Sequence, residues 1–211
     1  GSLGFNNVTN RLFPYFRAAG KGHNGYLSLA FLVTAAGFIL CMIGLIFYMP
    51  SFIESNREKS ELLSEYAWYI PVLLAFLMLF TLLDNYAKVL FKAVLGTFLH
   101  DFILRLIILF ILLAFYFKLI DFSTYVLLFV LAQAVPSLII IFYLLGRGEF
   151  RFTGFRDFIT PDFARQIISL SVFGIIAGLS TIALTTIDKY LVNNFNGLGD
   201  AGIYSIAAYF A

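Results

Sequence analysis

Ile167 to Ile187 is a nearly unbroken apolar run of 21 residues. Coiled as an α-helix at ~1.5 Å per residue it extends roughly 30 Å, the hydrocarbon thickness of a bilayer. In lipid such a segment must satisfy its backbone internally, which a helix does. Gly174 and Gly178 lie four apart in it beside Ala177, Ser180 and Thr181, a pattern of small residues that lets a neighbouring helix approach closely. Charge arrives only at the far end, as Asp188 and Lys189, where a helix leaves the membrane or faces a wet cavity.

The rest of the chain has the same character. Hydrophobic residues make up 61% of the 211 and charged residues only 12%, too little polar surface for a soluble domain. The fold class that follows is all-α, a multi-pass transmembrane helical bundle. A net charge of +2 gives no footing for nucleic-acid binding. Cys41, inside an apolar run, is the only cysteine, so neither a disulfide framework nor a Cys/His metal site is expected.

In chain order, residues 1–24 carry Arg11, Arg17, Lys21 and His23 among aromatics and read as an interfacial loop. Four spans with short loops then occupy residues 25–146. The first is Tyr26 to Met49, closed by Pro50. An acidic loop or short helix follows at 51–66, with Trp68 and Tyr69 as interface anchors. The second span runs from Ile70 to about Leu83, short unless it passes Asp84. The third covers Phe102 to Leu119. The fourth, Tyr125 to Leu145, contains Gln133 and Pro136 and is expected to bend. Residues 147–166 form an elbow in which arginines alternate with Phe150, Phe152, Phe155 and Phe158, suited to a membrane surface. Residues 167–211 give the fifth span and the start of a sixth. The opening Gly-Ser and the ending within an apolar pattern suggest a piece of a longer protein.

Alternating the loops puts ten of the 14 basic residues on one side, which is then the cytoplasmic one.

Gly4-Phe5-Asn6-Asn7-Val8, Phe13-Pro14-Tyr15-Phe16-Arg17 and His23-x-Gly25 resemble the connection after the second helix of bacterial polysaccharide flippases of the MATE-like (MOP) superfamily. Ile187-Asp188-Lys189-Tyr190 and Gly199-Asp200-Ala201-Gly202-Ile203-Tyr204-Ser205 are similar to that family's seventh helix and the opening of its eighth. The resemblance covers essentially the whole chain, as about helices three to eight of twelve or more. It implies part of a two-lobed transporter of the bacterial cytoplasmic (inner) membrane, working by alternating access. The implied substrate is a polyprenyl-diphosphate-linked oligosaccharide, moved between leaflets for surface polysaccharide synthesis. No bond is made or broken, so no catalytic residue and no cofactor is implied; the partners are the lipid-linked oligosaccharide, membrane lipids and a coupling cation, proton or sodium.

Arg105, Lys88, Lys92 and Arg17 are the candidate substrate-binding residues, since guanidinium and ammonium groups hydrogen-bond diphosphates. The simpler reading is the ordinary excess of positive charge on the cytoplasmic side, with Asp84 and Asp101 as i,i+4 partners. Asp101, as partner of the deeper Arg105, together with His100, Asp188 and Lys189, are candidates for coupling or gating. A multidrug or metabolite exporter of the same superfamily, a membrane-embedded glycan polymerase or ligase, and a membrane scaffold are the competing readings.

Overall fold

The computed structural model describes residues 3–18, 22–56, 65–156, 158–196 and 198–210. Lys21, the acidic residues Glu58 and Glu61, and Gly197 lie outside them. Every regular element is helical, and no strand occurs among the described residues.

Among the described residues seven main helices follow one another. They are α1 (Phe5–Phe16), α2 (Tyr26–Asn56), α3 (Tyr69–Val89), α4 (Ala93–Tyr116), α5 (Phe122–Gly146), α6 (Pro161–Asn196) and α7 (Leu198–Phe210). Five, α2 to α6, contain stretches long and apolar enough to cross a membrane. The chain is a multi-pass, all-α membrane protein.

Where residues 1–24 read as a loop, the structure has helix α1. Phe5, Val8, Leu12, Phe13 and Phe16 recur at helical spacing and all are buried, so one face of α1 belongs to the core. Pro50 does not end α2; the helix continues to Asn56. Proline's φ is already helical, so it costs one backbone hydrogen bond rather than the helix. The second span does pass Asp84, ending at Val89.

Helix α4 begins at Ala93, nine residues before the expected Phe102. His100 and Asp101 mark no boundary. They lie in a π-helical turn, Leu99–Ile103, in the body of the span. The expected bend in α5 falls at Gln133 and Ala134, between segments Phe122–Ala132 and Val135–Gly146, with Pro136 opening the second. Asp121 caps the first segment, accepting hydrogen bonds from the Thr124 hydroxyl and amide; these hold its carboxyl below the usual carboxylate range. Helix α6 overruns the predicted Ile167–Ile187 in both directions.

Helix α3 is the centre, packing against α1, α2, α4 and α5. Two close approaches set its surroundings. Gly96 of α4 lies against the Asp84 carboxylate, where any Cβ would overlap it. Gly174 of α6 lies against Gly4, where a Cβ would come within 2.5 Å of the Gly4 carbonyl oxygen. Of the two glycines expected to pack in α6, Gly174 does so, whereas Gly178 has no described neighbour within 4 Å of where its Cβ would be.

The densest part of the core is concentrated at one end of the bundle. Phe13, Phe16, Tyr26, Leu27, Leu83, Tyr86, Ile140 and Leu144 are all fully or almost fully buried there. The helix ends beside Arg17, Lys88, Lys92, Arg147 and Arg151 gather at this same end, which we call the basic end.

Candidate functional site: an arginine-lined cavity at the basic end

The cavity is built by three turns. After α1, the residues Gly22, His23, Asn24 and Gly25 all take positive φ, of 59°, 49°, 49° and 77°. Glycine accepts this freely and asparagine tolerates it, but for histidine the left-handed region costs roughly 1–2 kcal/mol. The surroundings hold the turn in place. Asn24 Nδ2 donates to the Phe16 carbonyl at 3.2 Å, Ser28 Oγ to the Thr153 carbonyl at 2.8 Å, and Thr153 Oγ1 to the Gly22 carbonyl at 3.4 Å. Gly25 lies so close to the Gly154 carbonyl that a Cβ would come within 2.6 Å of it. The left-handed turn is thereby bolted to the elbow after α5, and it lays the His23 ring beside Phe13 at 5.4 Å and Tyr86 at 6.2 Å.

Helices α3 and α5 end in the same kind of turn. At α5, Gly148 N–H donates to the Leu145 carbonyl and Glu149 N–H to the Leu144 carbonyl, each at 3.0 Å, with Gly148 at φ 67°. This is a Schellman motif, whose C′ position favours glycine. At α3, Phe91 holds the corresponding left-handed position at φ 61°, and Lys92 N–H closes the motif on the Ala87 carbonyl at 2.9 Å. Gly148→Ala is expected to destabilise the protein by about 1–2 kcal/mol, because alanine pays for the left-handed backbone. Thermal unfolding of the purified protein in detergent measures it; an unshifted midpoint would contradict the strain assigned to this turn.

The cavity enclosed by these turns has a volume of about 350 Å³ and is lined by Arg17, His23, Arg147, Glu149 and Arg151, with Gly22, Leu90 and Gly148. The Arg17 guanidinium stacks 4.5 Å from the Phe91 ring and that of Arg147 5.1 Å from Tyr143. These cation–π contacts fix the planes of the two groups, and neither guanidinium donates a hydrogen bond to a side chain or backbone group among the described residues. None of the three arginines has a carboxylate within ion-pair distance among the described residues. Glu149 is held by its backbone, the Tyr86 hydroxyl donating to its carbonyl at 3.0 Å. Behind His23 the core is aromatic: Tyr86 lies beside the His23 ring, Tyr26 stacks on Tyr86 at 5.7 Å, and Tyr26 in turn hydrogen-bonds Thr9.

Compared with family models, curated proteins and solved structures, the chain matches none.

Of the candidates read from sequence, Arg17 alone lines this cavity. Lys88 is engaged in the expected i,i+4 ion pair with Asp84. Lys92 is half-buried just before α4. Asp101 is not the partner of Arg105. The π turn changes the angular spacing of residues four apart, and Asp101 instead meets His100 Nδ1 at 3.1 Å. Arg105, about 18 Å along α4 from Ala93, is exposed on a stripe with Phe98, Phe102 and Leu109 and has no partner among the described residues. Asp188 and Lys189 are exposed well inside α6 rather than at its end, and Asp188 accepts from the Tyr204 hydroxyl at 3.3 Å.

Sequence reading passed over Arg147, Arg151 and Glu149 as cavity residues. Arg147-Gly148-Glu149 directly after an apolar helix is the signature of a glycine C-cap, and it was the available signal.

Proposed function

We propose that this chain is part of a flippase that carries polyprenyl-diphosphate-linked oligosaccharide across the bacterial cytoplasmic membrane by alternating access. The observation that carries the reading is the cavity at the basic end. Three guanidiniums against one carboxylate leave two positive charges in a space of about 350 Å³. That charge complements a diphosphate diester, and the cavity lies at the end of the bundle where a headgroup would meet the protein while its polyprenyl chain stayed in lipid. The excess of positive charge argues against a cavity for cationic drugs.

Arg105 supports the same reading from a different depth. A guanidinium midway along a span, with no partner among the described residues, is expensive in hydrocarbon, so its stripe on α4 would face water or protein, as the wall of a transport path does. The proton or sodium that drives the cycle would act at Asp188 and Lys189 or at the His100–Asp101 pair.

The test is transfer of a fluorescent polyprenyl diphosphate glycan between leaflets of liposomes containing the full-length protein. Arg105→Ala is expected to slow transfer about tenfold or more, the loss of one interaction with a charged group, while insertion is unchanged. Normal transfer by that variant would remove Arg105 from the path. No transfer by the unaltered protein would sink the proposal itself.

A further inference from the structure

We infer that Glu149 and His23 form a hydroxyl-reading subsite, which makes the cavity selective for a glycosyl diphosphate over a bare diphosphate. The inference rests on the function proposed above and names what the same site distinguishes.

A cavity meant only for an anion has no use for a carboxylate, which subtracts from its field. Glu149 is nevertheless there, and its Oε2 is buried with no hydrogen-bond partner among the described residues. Nor do the arginines neutralise it, two of them being stacked on Phe91 and Tyr143. His23 makes a second case. It is only 8% exposed, lines the same cavity, and its Nδ1 is also buried without a hydrogen-bond partner among the described residues. Groups of this kind are costly to leave unpaired, and cluster where a ligand completes them.

The missing partner must satisfy a carboxylate oxygen, which only accepts, and an imidazole nitrogen, which donates or accepts according to tautomer. A sugar hydroxyl does both. The ligand must also carry negative charge to engage Arg17, Arg147 and Arg151. A hexose joined through its anomeric oxygen to a diphosphate offers both functions within one headgroup.

Both reading groups are held before any ligand arrives. Glu149 is anchored through its amide to Leu144 and through its carbonyl to the Tyr86 hydroxyl, and His23 is clasped between Phe13 and Tyr86. Discrimination arises because a ligand lacking the hydroxyl leaves the buried carboxylate oxygen of Glu149 unpaired.

The same headgroup chemistry could reach the cavity on a lipid or on a soluble sugar nucleotide. The experiment is therefore equilibrium binding to the full-length protein in nanodiscs of three probes: farnesyl diphosphate, farnesyl diphosphate esterified with glucose, and uridine diphosphate glucose. The unaltered protein is expected to bind the glycosylated farnesyl probe about tenfold more tightly than the bare one, the factor supplied by one hydrogen bond to a charged group. Glu149→Gln should level the two, with its thermal midpoint unchanged. His23→Asn, which tolerates the left-handed backbone, should reduce the ratio without loss of fold. Equal binding of both farnesyl probes by the unaltered protein, or a ratio preserved in Glu149→Gln, overturns the subsite and leaves the flippase reading standing. Absence of binding by either farnesyl probe overturns both. Uridine diphosphate glucose binding as tightly, with the same Glu149 dependence, supports the subsite and moves its ligand from lipid to solution.

Discussion

Replacing Arg147 and Arg151 together by glutamine is expected to weaken binding of farnesyl diphosphate by about a hundredfold or more. Each hydrogen bond between a guanidinium and a phosphate oxygen contributes roughly 1.5–3 kcal/mol, and each 1.4 kcal/mol is about a factor of ten. Both side chains are exposed and neither has a carboxylate partner among the described residues, so the fold loses little when they go. Arg147 would give up its stacking on Tyr143, a contribution of about 0.5–1 kcal/mol at an exposed site. Arg17 alone would remain against Glu149, and the cavity would fall from two net positive charges to none. Arg11→Gln is the control, an exposed arginine of α1 outside the cavity, and should leave binding unchanged. The unaltered protein should also lose affinity as salt rises, and the double variant much less so. Undiminished binding by the double variant would take the cavity out of the mechanism.

That cavity could be read from the sequence only in parts. Hydropathy marked all five spans, because a length of apolar residues is a local property. The ends of the spans were harder. A polar residue near a helix end signals a boundary only if nothing pairs with it, and His100 and Asp101 pair with each other within α4. The aromatic spacing of α1 was legible as a helical face, but its basic residues suggested a loop. Gly22, Asn24 and Gly25 announced a turn by composition. What no local pattern announced is that this turn is fastened to Thr153 and Gly154, some 130 residues away, which is how Arg17 comes to share a cavity with Arg147 and Arg151. The orphaned polar atoms of His23 and Glu149 are likewise a product of burial, which only the packing of α1, α3 and α5 creates.

Gly174→Ala is expected to unseat α1 from α6 and to destabilise the protein by about 1–3 kcal/mol, the usual cost of forcing an extra carbon into a packed contact. The added methyl would lie 2.5 Å from the Gly4 carbonyl oxygen and 2.7 Å from its Cα. Those are backbone atoms, with no rotamer to retreat into. Gly4 cannot readily give way, since it stands at φ 71° and is itself pressed against the Ser171 carbonyl. Relief therefore requires α1 to move as a body. Its far end carries Phe13 and Phe16 into the aromatic core beneath the cavity, at 5.0 Å and 5.5 Å from the Tyr26 ring. Displacement at Gly4 would be felt at Arg17 one helix length away. Gly178→Ala supplies the contrast within the same helix. No described atom lies within 4 Å of its Cβ position, and alanine is the better helix former by about 1 kcal/mol. Thermal unfolding in detergent should show Gly174→Ala lowered and Gly178→Ala unchanged or raised. If the two variants unfolded alike, the Gly4–Gly174 contact would not be what seats α1, and the cavity would owe its shape to its three turns without help from that contact.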